Sequence, residues 1–194
     1  MGQIQGYIGY YCLQSWWEQL PETEKSIIQN TFQPMAGELG LTTSKIEYIS
    51  RSVVGFLSDL ADWFNKPSLL YLGLNIIEKG ESLINQNTPV IEQNYLYAAM
   101  SSLYYKFNNI NPSSTSLQQC IYACEKQIAL APQIATLLFS KFKQLPSHEG
   151  YEMLIDIFIG ENDKLEVSRL VNKAKDEGWM GRWDRYLDPS NYED

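Results

Sequence analysis

Apolar residues in this chain recur every three or four positions and almost nowhere alternate, and prolines cut the pattern into pieces of helical length. Ile46, Ile49, Val53, Phe56, Leu57, Leu60 and Phe64 fall on one stripe of a 3.6-residue period, as do Leu70, Leu74 and Ile77 after Pro67. A stripe of that kind must be buried against another helix, so the chain is expected to be all-α. Tyr7–Leu20 and Glu22–Phe32, separated at Pro21, read as two shorter helices, and Pro34–Leu41 as a connector. Ser44 with Glu47 has the spacing of a capping box, which predicts a helix from there to Phe64. Asn85-Gln86-Asn87-Thr88-Pro89 closes the next helix. Ile91–Phe107 is an aromatic-rich helix, and Leu117–Leu130 follows, with Ser116 and Gln119 as its capping pair and Pro132 as its stop. A short helix over Ile134–Phe142 ends before Pro146, Ser147 caps the helix from about Glu149 to Ile159, and Leu165–Glu177 ends at Gly178.

Composition limits the chemistry. Of 194 residues 44% are apolar and 13% aromatic, enough for a substantial core. The formal charge is −8 and spread along the chain: residues 1–97 hold five basic and ten acidic side chains, residues 98–194 ten and thirteen. Such a surface is expected to attract neither nucleic acid nor anionic membrane. No apolar run approaches the length of a membrane span, and the first residues lack a secretory pattern; Gly6 stands where a myristoylation signal wants Ser or Thr. Three cysteines, an odd number, point to a reducing compartment, so a cytoplasmic protein is expected.

Internal repetition gives the sharpest expectation. Tyr151-x-x-Leu154, Phe158, Val167-x-x-x-Val171 and Ala174 place large groups on a first helix and smaller ones on a second, with Asn162-Asp163 at the turn. Helices that cross closely need this division of volume. Tyr97-x-x-Met100-Ser101-x-x-Tyr104, followed by Cys120-x-x-x-Cys124, Ile128 and Pro132, repeats it with about seven extra residues in the turn. Over residues 90–180 the chain resembles the tetratricopeptide-repeat family. That resemblance implies antiparallel helix hairpins stacked as a short right-handed α-solenoid. The expected organisation is a single helical domain: a cap (1–40), a degenerate helix pair (43–84), a repeat (90–132), an extra helix and loop (133–146), a second repeat (147–179) and a tail (180–194). A non-repetitive helical bundle is the alternative, and residues 43–84 suit it equally. The first helices and the aromatic tail from Trp179 to Tyr186 would cover the exposed ends.

Few residues invite catalysis. Cys120 and Cys124 share a helix face, as half a metal site would require, but no histidine or third cysteine accompanies them, so packing is the expected role. Cys12, among Tyr10, Tyr11, Leu13, Trp16 and Trp17, is expected in or near the core. His148, the one imidazole, is expected at the surface beside a helix cap. No nucleotide-binding glycine loop, zinc-protease motif or nucleophile elbow occurs. Asp59/Asp62 and Glu161/Asp163 read as solvated pairs, and Arg182-Trp183-Asp184-Arg185-Tyr186 as a C-terminal clamp. Catalytic residues, metal and cofactor are all expected to be absent.

What remains is contact. In tetratricopeptide proteins the first helices of successive hairpins line a peptide groove, and by that resemblance Tyr95, Ala98, Ser102, Tyr105 and Lys106 would face Glu152, Asp156 and Ile159. Tyrosine is a low-entropy anchor, and Glu152 with Asp156 makes a local negative field. Only Lys106 suits the gripping of a free C-terminal carboxylate. The expected function is therefore a non-catalytic adaptor or scaffold that binds a basic or apolar protein segment. The alternatives are an acidic inhibitor or immunity-type protein neutralising a basic enzyme, a small enzyme centred on His148, and self-association as a homodimer through an exposed patch among five tryptophans.

Overall fold

The computed structural model describes residues 4–34 and 40–188. Most of the connector expected at Pro34–Leu41 and the end of the tail over 180–194 lie outside the described residues. Nine α-helices and two short 3-10 turns make up the regular structure among the described residues, with no strand. The chain divides into two compact units, Met1–Thr88 and Pro89–Asp194. Among the described residues no helix is long and apolar enough to cross a membrane.

The first unit holds α1 (Gly6–Tyr10), α2 (Gln14–Gln19), α3 (Glu22–Thr31), α4 (Val53–Asp62) and α5 (Leu70–Ser82). Two sequence expectations fail here, the first because tertiary hydrogen bonds outcompete local helix. The segment expected to begin a helix at Ser44 instead lies against α1. Its carbonyls at Leu41, Thr42 and Ser44 accept the amides of Ile8, Gln5 and Gly6 at 3.0, 3.2 and 2.7 Å. Helix N-termini leave such amides unpaired, and this segment satisfies them. The Ser44 hydroxyl accepts from the Gly40 amide at 3.1 Å. Further along, the Ile49 amide donates to the Tyr10 hydroxyl and the Tyr11 hydroxyl to the Arg51 carbonyl, at 3.2 and 2.9 Å. The helix starts only at Val53, where Ser52 Oγ accepts from the Gly55 amide. Gly6 adopts φ +63°, and a Cβ there would sit 2.3 Å from the Gly40 carbonyl oxygen, so the close approach requires glycine.

The helix expected over Tyr7–Leu20 is likewise broken in two. Cys12 takes a left-handed φ of 56° between α1 and α2 and is exposed, contrary to its expected place in the core. The unit's core includes the apolar faces of α4 and α5, with Val54, Leu57, Leu60, Leu72, Ile76 and Ile77 buried, together with Ile8, Trp17, Ile28 and Phe64. Pro67 opens a 3-10 turn (Pro67–Leu69) that leads into α5.

The second unit holds α6 (Val90–Ile110), α7 (Ser114–Phe142), α8 (Glu149–Gly160), α9 (Lys164–Asp176) and a 3-10 turn over Trp183–Leu187. Helices α6 and α7 pack as a hairpin, α8 packs on α7 and on α9, and the terminal turn packs on α9. Helix α7 runs straight through Pro132, where a stop and a separate Ile134–Phe142 helix were expected. An internal proline costs about 3 kcal/mol through one lost hydrogen bond and a steric clash. Burial of Ile128, Ala131 and Ile134, on one face spanning the proline, offsets that cost. The cap of α7 is Ser113, whose Oγ accepts from the Ser116 amide at 3.1 Å; Ser116 is buried inside the first turn. Helix α9 begins where the sequence placed it, with Asp163 Oδ1 accepting from the Glu166 amide, and ends at Gly178 with φ +82°.

Cys120 and Cys124 are fully buried, the Cys120 thiol lying 3.4 Å from the Ser101 carbonyl and 3.5 Å from Met153 Sδ. The neighbouring Cys120 thiol and burial together hold Cys124 far above the ordinary thiol range, so it packs as a neutral group. Trp17, Trp179 and Trp183 are core residues and Trp16 is half-buried, leaving Trp63 as the tryptophan with more than a third of its surface exposed.

Candidate functional site

Tyr95, Ala98, Ser102 and Tyr105 follow one another at helical spacing along α6, but they open onto two different hollows. Ser102 and Tyr105 meet Glu149, Glu152, Met153 and Asp156 in a cleft of about 370 Å³ between α6 and α8. Four of the eight residues expected to line the groove are therefore side by side. Tyr95 and Ala98 line a second hollow, described below, while Lys106 and Ile159 line neither. Glu149 and Met153 had not been anticipated. Their signal is visible in retrospect: Glu149, Glu152, Met153 and Asp156 stand at i, i+3, i+4 and i+7 of one α8 face.

The cleft is negative and partly dehydrated. Burial, with lesser contributions from Asp156 and Glu149, raises the Glu152 carboxyl above its ordinary range, while Arg185 acts in the opposite direction. Burial also raises Asp156, again against Arg185, even though Asp156 keeps an exposed edge. Carboxylates held this way gain from a cation that replaces lost water. Arg185 lies over the Tyr186 ring, 4.5 Å from its centroid, on the turn that follows α9.

The second hollow, about 300 Å³, lies among α6, α7 and the first turn of α8, and Trp179 closes one side. His148, expected at the surface, is only 4% exposed. It, and not Ser147, caps α8, with Nδ1 accepting the Tyr151 amide at 3.3 Å. Its ring also packs edge-on to Tyr151 and Trp179, with centroids 4.9 and 4.6 Å apart. Burial lowers its pKa to about 4, so the imidazole is neutral at pH 7. Because Nδ1 accepts, Nε2 must carry the proton. The Gln127 backbone carbonyl acts on the ring in the opposite direction, yet Nε2 is left without a hydrogen-bond partner. Asn94 Oδ1 and Gln127 Oε1 are also buried without partners, their residues being 9% and 3% exposed. Gly150 lets the first turn of α8 come up against Gln127, since a Cβ there would lie 2.5 Å from Oε1. Each unpaired atom costs about 1–3 kcal/mol, and native interiors rarely leave such groups unsatisfied. All three belong to residues lining this one hollow.

The tail fastens α8 to α9. The Tyr151 hydroxyl and Trp179 Nε1 donate to the same Glu177 oxygen at 2.9 and 3.0 Å, and Trp183 Nε1 donates to the Trp179 carbonyl at 2.7 Å. Trp183 and Tyr186 are buried in that assembly. Among the described residues no group of three His, Cys, Asp or Glu side chains is placed to hold a metal ion.

Comparison with protein-family models, with curated proteins and with solved structures gave no match.

Proposed function

We propose that residues 90–179 are two tetratricopeptide-like hairpins and that they form a non-catalytic interaction module, an adaptor or scaffold, which binds a basic peptide segment in the cleft between α6 and α8. The observation that carries this reading is the convergence of Glu149, Glu152 and Asp156 with Tyr105, Ser102 and Met153 in one hollow. Three carboxylates draw in lysine or arginine, while Tyr105 and Met153 offer surface for the aliphatic stem. The hairpin order supports the repeat: α6 with α7, then α8 with α9, with α8 packed on α7 and touching α6. The odd number of cysteines supports the cytoplasm as the compartment.

A randomised peptide display selected on the full chain tests it. Selected peptides are expected to be enriched in Lys and Arg beside one apolar residue, and the Glu152→Lys/Asp156→Lys double variant to weaken them at least tenfold. Binders without basic residues, or binding untouched by the double variant, would remove the cleft from the account.

A further inference from the structure

We propose that the C-terminal end of α7 is a basic segment that the α6–α8 cleft receives from a second copy of this chain, joining copies head to tail; this rests on the reading of the cleft given above. The apolar stripe of α7 does not stop where its cover stops. Ile128, Ala131 and Ile134 are buried, but Leu137, Phe139 and Phe142 are 47, 55 and 59% exposed. Helix α7 has 29 residues and its hairpin partner α6 has 21, so about two turns of α7 outrun α6. Phenylalanines grouped in water at one helix end mark a contact surface. The same end is basic in an acidic chain. From Lys126 to His148 there are three lysines and no Asp or Glu. Lys141 and Lys143 bracket Phe142, and neither forms an ion pair among the described residues. Lys141 Nζ lies 5.1 Å from the Phe142 ring centroid, and Lys143 ends the helix at φ 60°, its Nζ donating to the Ser140 carbonyl at 3.2 Å. By contrast, Arg169, Lys173 and Lys175 are paired with Glu166, Glu177 and Asp184.

The cleft offers the complement to this tip, Lys141-Phe142-Lys143. Glu149, Glu152 and Asp156 form no ion pair among the described residues, and Tyr105 and Met153 line the cleft with them. Phe142 gains aromatic and sulfur–aromatic contacts by packing on Tyr105 and Met153, and its two lysines meet the carboxylates. The contact cannot form within one copy. Met153 Sδ, in the cleft wall, lies 3.5 Å from the Cys120 thiol. The stretch from Cys120 to Lys141 lies wholly within α7 and rises about 30 Å. A continuous helix cannot double back over that distance, so the cleft that takes the tip belongs to another molecule. Tip and cleft are different surfaces, which makes the contact heterologous. Each copy gives one tip and offers one cleft, and the series closes into a ring or stays open.

Light scattering of the full chain at low salt, across a rising concentration series, tests it. The weight-average mass is expected to rise at least twofold and to fall back when salt is added. Lys141→Gln/Phe142→Ser/Lys143→Gln removes the tip, and Glu152→Lys/Asp156→Lys removes the cleft. Each variant alone should stay monomeric, with the circular dichroism spectrum of the native chain. Mixed, the two should form a one-to-one complex and go no further, because one intact tip and one intact cleft remain between them. A native chain that is monomeric throughout, a variant that associates as the native chain does, or folded variants that fail to complement each other would overturn the proposal. If such a monomeric chain still bound display-selected basic peptides, the peptide cleft would stand without the contact between copies. Complementation by a chain that binds no basic peptide would sustain the contact between copies and remove the adaptor reading.

Discussion

His148 ties helix start, core and cavity together in one side chain. Its ring is neutral because burial lowers its pKa from 6.5 to about 4. The unfolded chain therefore binds a proton between those values that the folded chain does not, and stability rises with pH through that window. Native stability is complete above about pH 6.5 and falls toward pH 4, by about 3 kcal/mol for a displacement of this size. His148→Asn keeps an N-cap acceptor and lacks the titration, so urea denaturation from pH 7 to 4 should show a flatter profile for the variant. Parallel profiles would mean that His148 is protonated or exposed in the fold. The cleft carboxylates obey the opposite logic toward a ligand. Glu152 and Asp156 are raised, so they lose charge earlier on acidification than exposed carboxylates do. Affinity for a lysine- or arginine-containing peptide should therefore begin to fall above the ordinary carboxylate range. In Glu152→Gln/Asp156→Asn that pH dependence should largely disappear, as measured by fluorescence anisotropy.

At the scale of helices, two features give opposite lessons about capping and breaking. Ser52→Ala should cost about 1 kcal/mol in a denaturation experiment, since Ser52 caps α4, whereas Ser44→Ala should leave the α4 cap intact. Pro132 sits inside a continuous helix, so Pro132→Ala should restore a hydrogen bond and stabilise the chain by about 1–3 kcal/mol. A proline ending a helix would give the reverse sign, because alanine would only loosen the unfolded chain. These positions also mark how far the sequence could be read. The helical class and the Asn162–Asp163 turn were legible because a 3.6-residue period and local caps are written in neighbouring residues. The start of α4 was not, because carbonyls at Leu41–Ser44 are used by α1 more than thirty residues earlier. Ser102, Tyr105, Glu152 and Asp156 were legible as facing stripes. Asn94 and Gln127 were not: each is an ordinary polar residue until packing buries its amide oxygen without a hydrogen-bond partner.

Over the whole molecule, −8 of formal charge is spread along both halves of the sequence. Association with a basic partner should be electrostatically steered, its rate constant falling steeply as ionic strength rises from 50 to 500 mM in stopped-flow measurements (~50 and ~500 mM bracket the screening range). A rate indifferent to salt would contradict an acidic docking face. The second unit carries its own core, its own helix caps and both hollows. The α6–α8 cleft is proposed to take a basic segment. Hydrogen exchange read by mass spectrometry, on the full chain with and without a display-selected Lys/Arg peptide, tests it most directly. Slowed exchange is expected, confined to the parts of α6 and α8 that carry Ser102, Tyr105, Glu149, Glu152 and Asp156. Protection elsewhere, with these stretches unchanged, would contradict it.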